Sequence, residues 1–397
     1  MSSAGSEEPF KTPNDTTQKK DAQRRHQSKP SWLKRCVVCL CVFFSVSNFI
    51  AVLLLLVFFR VWSEEWWLSS ALTYTPRSPF LIPSVLLIPV CAFFSRKACW
   101  LNLVSLLLVL GPVMELKIPI SSSSSSEVFS EPIKLVSCNV QFFRPDFAAI
   151  CEEIDQINPD IIILQDAHSD RVSEAELRDR FPDYQIVHYR QFWVGSRFPI
   201  RYAGACRTYG NPKYPGWRHV SMVHFEIQGP AGVFSVYNLH QDSPREYLYD
   251  VSHLTVSEIL NGKGQKLLAP RLSHRMEESR MIREYVEQTQ SENPSIVVGD
   301  FNMTSSSSLY QRFWGDLQNT FDKAGFGYGY TVSCDTHNRW PTGVPWVRID
   351  HILTTDHWDV VNAQVGSANG SDHRLVAATV RLKMVKPAPL DSENSSP

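Results

Sequence analysis

Apolar runs of two different lengths divide the chain into an amino-terminal part and a longer remainder. Residues 36–59, 80–94 and 98–114 are long apolar runs, separated by charged and Trp-rich stretches. The first run is long enough to cross a bilayer as a helix, and the other two lie near the lower limit of length. The pattern predicts a membrane module of about three transmembrane helices over residues 36–115.

Polar stretches flank this module and the remainder of the chain. Residues 1–35 are basic and lack apolar clusters, which is typical of a disordered tail. The Ser-rich stretch 116–130 predicts a linker, and residues 386–397 predict a second disordered tail. Positive charges place the first tail in the cytoplasm. Three crossings then put the following domain on the non-cytoplasmic side, whereas two crossings would leave it inside.

Shorter apolar runs characterise residues 131–385. Runs of strand length, such as 133–140 and 160–164, alternate with helical patterns such as 145–157. The stretch 245–270 fits neither pattern and is predicted to be a loop over a functional site. The mixture indicates an α/β domain in which two packed sheets are flanked by helices.

One of the short runs leads directly into polar residues that could take part in catalysis. Residues 296–298 are apolar, and Gly299-Asp300-Phe301-Asn302 follows them. Asp300 could orient or deprotonate a water molecule, and the amide of Asn302 could donate to a developing oxyanion. Capping of a turn by the same residues is the alternative explanation.

Other predicted strands also end in acids, amides or imidazoles. Each such residue alone is commonly a turn cap or a satisfied core residue. Turn capping does not readily explain so many polar residues at strand ends, and their number predicts that they form one shared site. The residues are Asn139, Asp166, His240, Asp350, Asp372 and His373.

These residues stand in motifs that resemble those of the endonuclease/exonuclease/phosphatase superfamily, which includes the deoxyribonuclease I-like nucleases. The motifs follow the family's order between residues 134 and 382. They are Ser137-Cys-Asn139, Leu164-Gln-Asp166, Tyr237-Asn-Leu-His240, Gly299-Asp-Phe-Asn302, Ile349-Asp350-His351 and Ser371-Asp372-His373. The resemblance implies a four-layered α/β sandwich with a divalent metal, Mg²⁺ or Mn²⁺, at one edge of the sheets.

The resemblance also implies a role for each matching residue. The implied metal ligands are Asn139, Asp166 and Asp372. The implied catalytic residues are His240, Asp300, Asn302, Asp350 and His373, with Asp300 orienting the water and Asp350 orienting His373. Arg197 stands in Gly195-Ser-Arg-Phe-Pro-Ile200, which resembles a recurring family segment, and it could bind the substrate phosphate. A surface arginine on an edge strand explains it equally well.

One position departs from the family pattern. The family usually has Glu where this chain has Asp166, and Asp reaches about 1.5 Å less far from the backbone. Asp is still a hard oxygen ligand, so the metal site remains the expectation.

These observations predict a membrane-anchored, metal-dependent phosphoesterase that acts on a phosphodiester or phosphomonoester. The net charge of −1, with no basic run interleaved with aromatic residues, gives no support to a nucleic-acid substrate. A phospholipid or a soluble phosphate ester remains open, as does nuclease-like activity. The alternative is a non-catalytic, membrane-tethered binding module that retains the fold, which the change at Asp166 would support.

Overall fold

The computed structural model describes eight stretches of the chain: residues 32–119, 128–144, 146–168, 172–209, 218–290, 293–333, 344–367 and 370–384. Most of the predicted basic tail, the serine run of the predicted linker and the carboxyl-terminal tail lie outside the described residues. The chain divides into two compact units, one with residues 1–51 and 82–106 and the other with residues 52–81 and 107–397.

The secondary structure elements are numbered in chain order. The helices are α1 (Trp32–Val57), α2 (Trp67–Thr73), α3 (Ile82–Phe94), α4 (Arg96–Leu108), α5 (Phe147–Ile157), α6 (Glu174–Arg180), α7 (Arg245–Ser252), α8 (Val256–Leu260), α9 (Lys263–Thr289), α10 (Ser308–Trp314) and α11 (Thr320–Ala324). The strands are β1 (Val128–Phe129), β2 (Ile133–Asn139), β3 (Ile161–Gln165), β4 (Gln185–Tyr189), β5 (Phe192–Ser196), β6 (Ile200–Tyr209), β7 (Arg218–Gly229), β8 (Gly232–His240), β9 (Ser295–Asp300), β10 (Gln318–Asn319), β11 (Asp350–Thr354), β12 (Trp358–Val365) and β13 (Val376–Met384).

The first unit consists of apolar helices joined by polar contacts. Asn48 Nδ2 donates to Ser84 Oγ at 2.9 Å and to Asn102 Oδ1 at 3.1 Å, and Asn102 Nδ2 donates to Ser45 Oγ at 2.6 Å. Such internally satisfied polar side chains are typical of helices that pack within a bilayer.

The described residues include two helices that are long and apolar enough to cross a membrane. They are Trp32–Glu65 and Arg96–Val113. A bent pair, Trp67–Thr73 with Ser78–Phe94, would be a third span if its two parts count as one. This is compatible with membrane association, while the number of crossings remains a prediction.

Two mixed sheets form the centre of the second unit. One sheet has the strand order β1-β13-β2-β3-β5-β4, with β12 also paired to β13, and the other has the order β10-β11-β9-β8-β7-β6. Only β2–β3 and β8–β9 are parallel pairs among the described strands. Helices α5 and α6 pack on the outer face of the first sheet, and α9 and α10 pack on that of the second. The predicted α/β sandwich of two sheets flanked by helices is therefore confirmed.

Alternation along the strands explains this layering. In β9, Ile296 and Val298 enter the core between the two sheets, whereas Val297 faces α9 and α10. In β2, Leu135 and Val136 divide in the same way between the central core and the layer of α5. A strand buried on both faces reads as a continuous apolar run, which is why the sequence predicts these strands.

The stretch 245–270 is helical in the structure, so its prediction as a loop is wrong. It forms α7, α8 and the beginning of α9, and α9 continues through Pro270. One face of α9 buries Leu268 and Leu272 against Trp67. This tertiary packing outweighs the unfavourable helix propensity of proline, which the sequence pattern alone does not reveal.

The segments that adjoin the apolar helices belong to the second unit. Tyr74 packs with Trp346 and Val347, and Trp67 packs against α7 and α9. The second unit therefore includes residues 52–81 and 107–397. The domain predicted from the sequence begins only at residue 131.

A buried ion pair also joins these segments. Arg77 Nη1 lies 2.6 Å from Glu115 Oε1, and Ser306 donates to the same carboxylate. Burial acts to raise the pKa of Glu115, but the charges of Arg77 and Arg348 outweigh it and lower the pKa to about 2. The carboxylate is therefore charged at neutral pH and is held by groups from distant parts of the chain.

Candidate active site

Strand pairing brings the predicted residues to one edge of the two sheets. The parallel pair β2–β3 aligns Asn139 with Gln165, and the parallel pair β8–β9 aligns His240 with Asp300. Strand β11 runs antiparallel and begins with Asp350, directly opposite Asp300. The carboxyl ends of the parallel strands share an edge within each sheet, and the two sheets pack face to face, so residues far apart in the chain meet there.

A cavity of about 500 Å³ opens at this edge. Its size lies within the usual range for small-molecule sites. Seven of the predicted site residues line it: Asn139, Asp166, His240, Asp300, Asn302, Asp372 and His373. Asp350 is buried behind His373 and reaches the cavity through that imidazole.

Gly299 makes the close pairing of β8 and β9 possible. Its φ is +138°, and a Cβ at this position would lie 2.0 Å from the carbonyl oxygen of Leu239. No residue with a side chain fits there without displacing the backbone. The glycine of the Gly-Asp-Phe-Asn motif therefore allows the neighbouring strand ends, His240 and Asp300, to stand side by side.

The first arm of the site is a buried Asp–His–Asp arrangement. His373 Nδ1 lies 3.0 Å from Asp350 Oδ2, and His373 Nε2 lies 3.8 Å from Asp300 Oδ2. Burial acts to lower the pKa of His373, but Asp350 and Asp300 outweigh it and raise the pKa to about 10. Burial, followed by the charge of Asp350, raises the pKa of Asp300. Asp350 thus fixes the ring of His373 so that Nε2 faces Asp300.

The second arm places His240 between two carboxylates. His240 Nδ1 lies 3.4 Å from Asp166 Oδ1 and donates to Gln191 Oε1 at 2.9 Å, while Nε2 lies 3.6 Å from Asp300 Oδ2. Burial acts to lower the pKa of His240, but Asp166 and then Asp300 raise it to about 9. Asn139 Nδ2 donates to Asp300 Oδ2 at 3.1 Å. Both arms therefore converge on the same carboxylate, Asp300.

The donor set of the cavity fits a hard divalent cation. At the buried end of the cavity, one ligand atom each of Asp300, His373 and the Asp350 behind it lie within 4.8 Å of one another. Asp166 and Asp372 present further carboxylates to the cavity, and Asp372 Oδ2 lies 3.2 Å from Arg245 Nη2. Carboxylate oxygens are the preferred ligands of Mg²⁺ and Mn²⁺.

The backbone at Asp166 gives a physical reason for the departure from the family's usual Glu. Asp166 has a φ of +48°, in the left-handed region. Aspartate and asparagine enter this region more readily than other residues with side chains, because their short polar groups can hydrogen-bond locally. The shorter acid therefore suits the conformation with which the chain leaves β3.

Asn302 is held by four hydrogen bonds in a left-handed conformation with a φ of +52°. Its N–H donates to Asp300 Oδ1 at 2.9 Å, and its Nδ2 donates to the Gln241 carbonyl at 2.9 Å. Its own carbonyl accepts from Tyr74 Oη at 2.9 Å and from Arg275 Nη2 at 2.8 Å. Tyr74 and Arg275 are both buried. A tyrosine from the segment after the first apolar helix thus contacts the backbone of the Gly-Asp-Phe-Asn motif.

Two residues considered from the sequence lie outside the cavity. Arg197 donates to Asn158 and lies over the ring of Tyr184 at 5.0 Å, away from the residues that line the cavity. His351 is buried on the opposite face of β11, with Nε2 2.9 Å from the Met303 carbonyl, and burial lowers its pKa to about 4. His351 is therefore a buried structural residue, although it stands in one of the family motifs.

The cavity also includes residues that sequence reasoning did not identify. Gln191 contacts His240, and Gln241 and Arg245 line the wall beside it. For Gln241 and Arg245 a signal was available, because both follow His240 at the end of a predicted strand. Gln191 and Tyr74 have no such signal, since their contacts depend on tertiary packing alone.

The chain is also similar to known proteins. The profile of the Endonuclease/Exonuclease/phosphatase family matches residues 136–373, more than half of the chain. No curated protein matches the chain.

Several solved structures are similar to between 62% and 65% of the chain. The endonuclease/exonuclease/phosphatase from Beutenbergia cavernae DSM 12333 is 17% identical, with a TM-score of 0.47, and the match covers 65% of this chain and 74% of that one. The mannosyl-6-phosphatase Bt3783 from Bacteroides thetaiotaomicron VPI-5482 is 18% identical, with a TM-score of 0.45, over 62% and 99%. Truncated Caenorhabditis elegans TDP2 is 15% identical, with a TM-score of 0.42, over 63% and 97%.

Proposed function

The chain belongs to the endonuclease/exonuclease/phosphatase family of hydrolases, and from this premise we propose that it is a membrane-anchored, divalent-metal-dependent phosphoesterase. The observation that carries the proposal is the convergence of both imidazoles, His240 and His373, on the buried carboxylate of Asp300 at one cavity. A phosphodiester or phosphomonoester would be cleaved there by attack of water.

The geometry supports a division of roles among the residues. Asp300 accepts a proton from the attacking water, and it is held in place by the N–H of Asn302 and the amide of Asn139. His373, fixed by Asp350, and His240 donate to the phosphate oxygens or to the leaving group. Asn302 lines the cavity beside Asp300 and adds a polar side chain to its wall.

The metal site would be formed by Asn139, Asp166 and Asp372, with Asp300 close by. When bound there, Mg²⁺ or Mn²⁺ would neutralise charge on the phosphoryl group. The three residues line the same cavity as Asp300, which supports their assignment as ligands.

The proposal is tested with the full-length protein in detergent. We expect hydrolysis of bis(para-nitrophenyl) phosphate in the presence of Mg²⁺ or Mn²⁺, and loss of that hydrolysis on addition of EDTA, with recovery when metal is restored. A folded protein without metal-dependent turnover would instead support a binding module.

Exchange of Asp166 for Glu tests the metal site separately. If reach alone limits the ligand, Asp166→Glu should keep or increase the affinity for Mn²⁺ measured by calorimetric titration. Asp179→Glu, a change at an exposed position, is the control. A fall in affinity, with an unchanged melting temperature, would show that the site has adapted to the shorter acid in its left-handed turn.

We further propose that the apolar helices anchor the chain and that the catalytic unit lies on the non-cytoplasmic side. The charge distribution around three crossings supports this orientation. Sealed vesicles are prepared with the non-cytoplasmic side outward, and protease is added to the outside. The protease should cleave the catalytic unit, and protection of that unit would contradict the proposed orientation.

A further inference from the structure

The most exposed apolar side chains of the catalytic unit lie in two places. Among the described residues from 128 to 384, the three most exposed large apolar side chains are Val256 at 73%, Phe326 at 76% and Leu260 at 81%. Val256 and Leu260 are four residues apart on α8 and therefore share one face, beside Ile259. Single exposed apolar residues are common in soluble domains, but a helix with an apolar face towards solvent indicates a partner.

Helix α8 is followed by a helix that packs on the segment after the first apolar helix. Two residues separate α8 from α9, and Gly264 of α9 packs so closely on the ring of Trp67 that an added Cβ would lie 2.8 Å from it. Leu268, one turn further on, belongs to the same buried cluster as Trp67. The apolar face of α8 is thus only a few residues away from the segment that leaves the candidate span.

That segment has the composition of a membrane–water interface. Trp62 and Trp66 are exposed, and they stand at the end of the candidate span Trp32–Glu65. Tryptophan is enriched where a spanning helix leaves the bilayer, since its ring is apolar and its N–H is polar. The two rings therefore mark the level of the lipid headgroups.

Phe326 occupies an equivalent place beside the other candidate span. Lys117, four residues after Arg96–Val113, exchanges two backbone hydrogen bonds with Gly327, of 2.8 and 2.9 Å. The neighbouring Ile118 is 62% exposed. Both exposed apolar places of the catalytic unit thus adjoin a point at which the chain leaves an apolar helix.

From these contacts we infer that α8 and the loop at Phe326 insert into the headgroup layer of a lipid bilayer, and that the cavity takes the phosphate ester of a membrane lipid. The second part rests on the proposed function. Helix α7 begins at Arg245, which lines the cavity, and leads directly to α8. The mouth of the cavity therefore lies near the headgroups when α8 is inserted, and a lipid phosphate can reach Asp300 from the membrane plane.

Photocrosslinking tests the membrane surface without relying on activity. The full-length protein carrying Leu260→benzoylphenylalanine is reconstituted in vesicles of tritiated phosphatidylcholine and irradiated. Tyr202→benzoylphenylalanine is the control, because Tyr202 is exposed and its neighbour Gly204 packs on Tyr285, about 30 Å along α9 from Gly264. We expect several-fold more labelled lipid on position 260. Equal labelling at both positions would overturn the inference.

Kinetics test the substrate class. The double variant Val256→Ser, Leu260→Ser should keep its rate on soluble bis(para-nitrophenyl) phosphate within about twofold. Its rate on hexadecyl para-nitrophenyl phosphate in phosphatidylcholine vesicles should fall by about tenfold, because two apolar side chains no longer hold the cavity at the surface. An equal fall, or no fall, on the two substrates would contradict the inference. A wild-type protein inactive on both would refute the proposed function, and the crosslink at position 260 would still decide the surface.

Discussion

Replacing Asp300 by asparagine will lower the turnover of bis(para-nitrophenyl) phosphate by at least about 100-fold, the loss expected when a group that acts on the reacting water is removed. The carboxylate is buried, and it accepts from Asn139 and from the N–H of Asn302. Asparagine has the same shape but cannot accept a proton from water. Both His240 and His373 would also lose the carboxylate that they share.

The control for this variant is Asp179→Asn, which makes the same chemical change at an exposed position of α6. Its turnover should equal that of the wild type. Circular dichroism and melting temperature should show that both variants are folded. A parallel variant, His373→Ala, should lose activity to a similar extent because Asp350 would then have no imidazole to orient. Wild-type rates in Asp300→Asn and His373→Ala would remove both residues from the mechanism.

Removal of residues 1–130 will abolish activity, and it will do so by unfolding the catalytic unit. The truncation deletes the buried aromatic residues Trp67 and Tyr74, which belong to cores shared with α7, α9 and Trp346. Deleting one large buried side chain typically costs about 3–5 kcal/mol, so two such losses approach the whole stability of about 5–15 kcal/mol of an ordinary domain. Thermal unfolding of residues 131–397, compared with the full chain in the same detergent, measures the effect.

A finer variant separates positioning from folding. Tyr74→Phe keeps the ring but removes the hydrogen bond to the Asn302 carbonyl, which Arg275 continues to satisfy. Turnover should fall by about threefold to tenfold, with KM little changed. Tyr184→Phe is the matched control, since its hydroxyl also donates to a backbone carbonyl, that of Pro159, away from the cavity. For the deletion of residues 1–130, a truncated protein with a native melting temperature and full activity would contradict the prediction that Trp67 and Tyr74 stabilise the catalytic unit.

The strand ends of the site were predictable from the sequence because parallel strands impose them. Strands β2, β3 and β9 are buried on both faces, so each appears as a short apolar run with a polar residue at its end. Parallel pairing sets these ends side by side within each sheet, and packing of the two sheets brings Asn139 into contact with Asp300. Local pattern and strand geometry therefore sufficed to predict the strand ends, whereas their meeting depends on how the sheets pack.

Other parts could not be predicted, because tertiary contacts determine them. Strand β6 is largely exposed and carries charged residues such as Arg201, so its sequence lacks an apolar run. Helix α9 continues through Pro270 because it packs on Trp67. Tyr74 is buried against the motif at Asn302 although 228 positions separate the two residues. No local pattern contains such information.

The contact between Tyr74 and Asn302 also sets an order of events during synthesis. Ribosomes add roughly 5–20 residues per second, so Asn302 emerges about 10–50 s after Tyr74. During this interval the first apolar helix has already left the ribosome, while the surface that will bury Tyr74 and Trp67 does not yet exist. With the membrane anchor proposed above, the headgroup region beside Trp62 and Trp66 would be the nearest place to shield these aromatic rings until translation is complete.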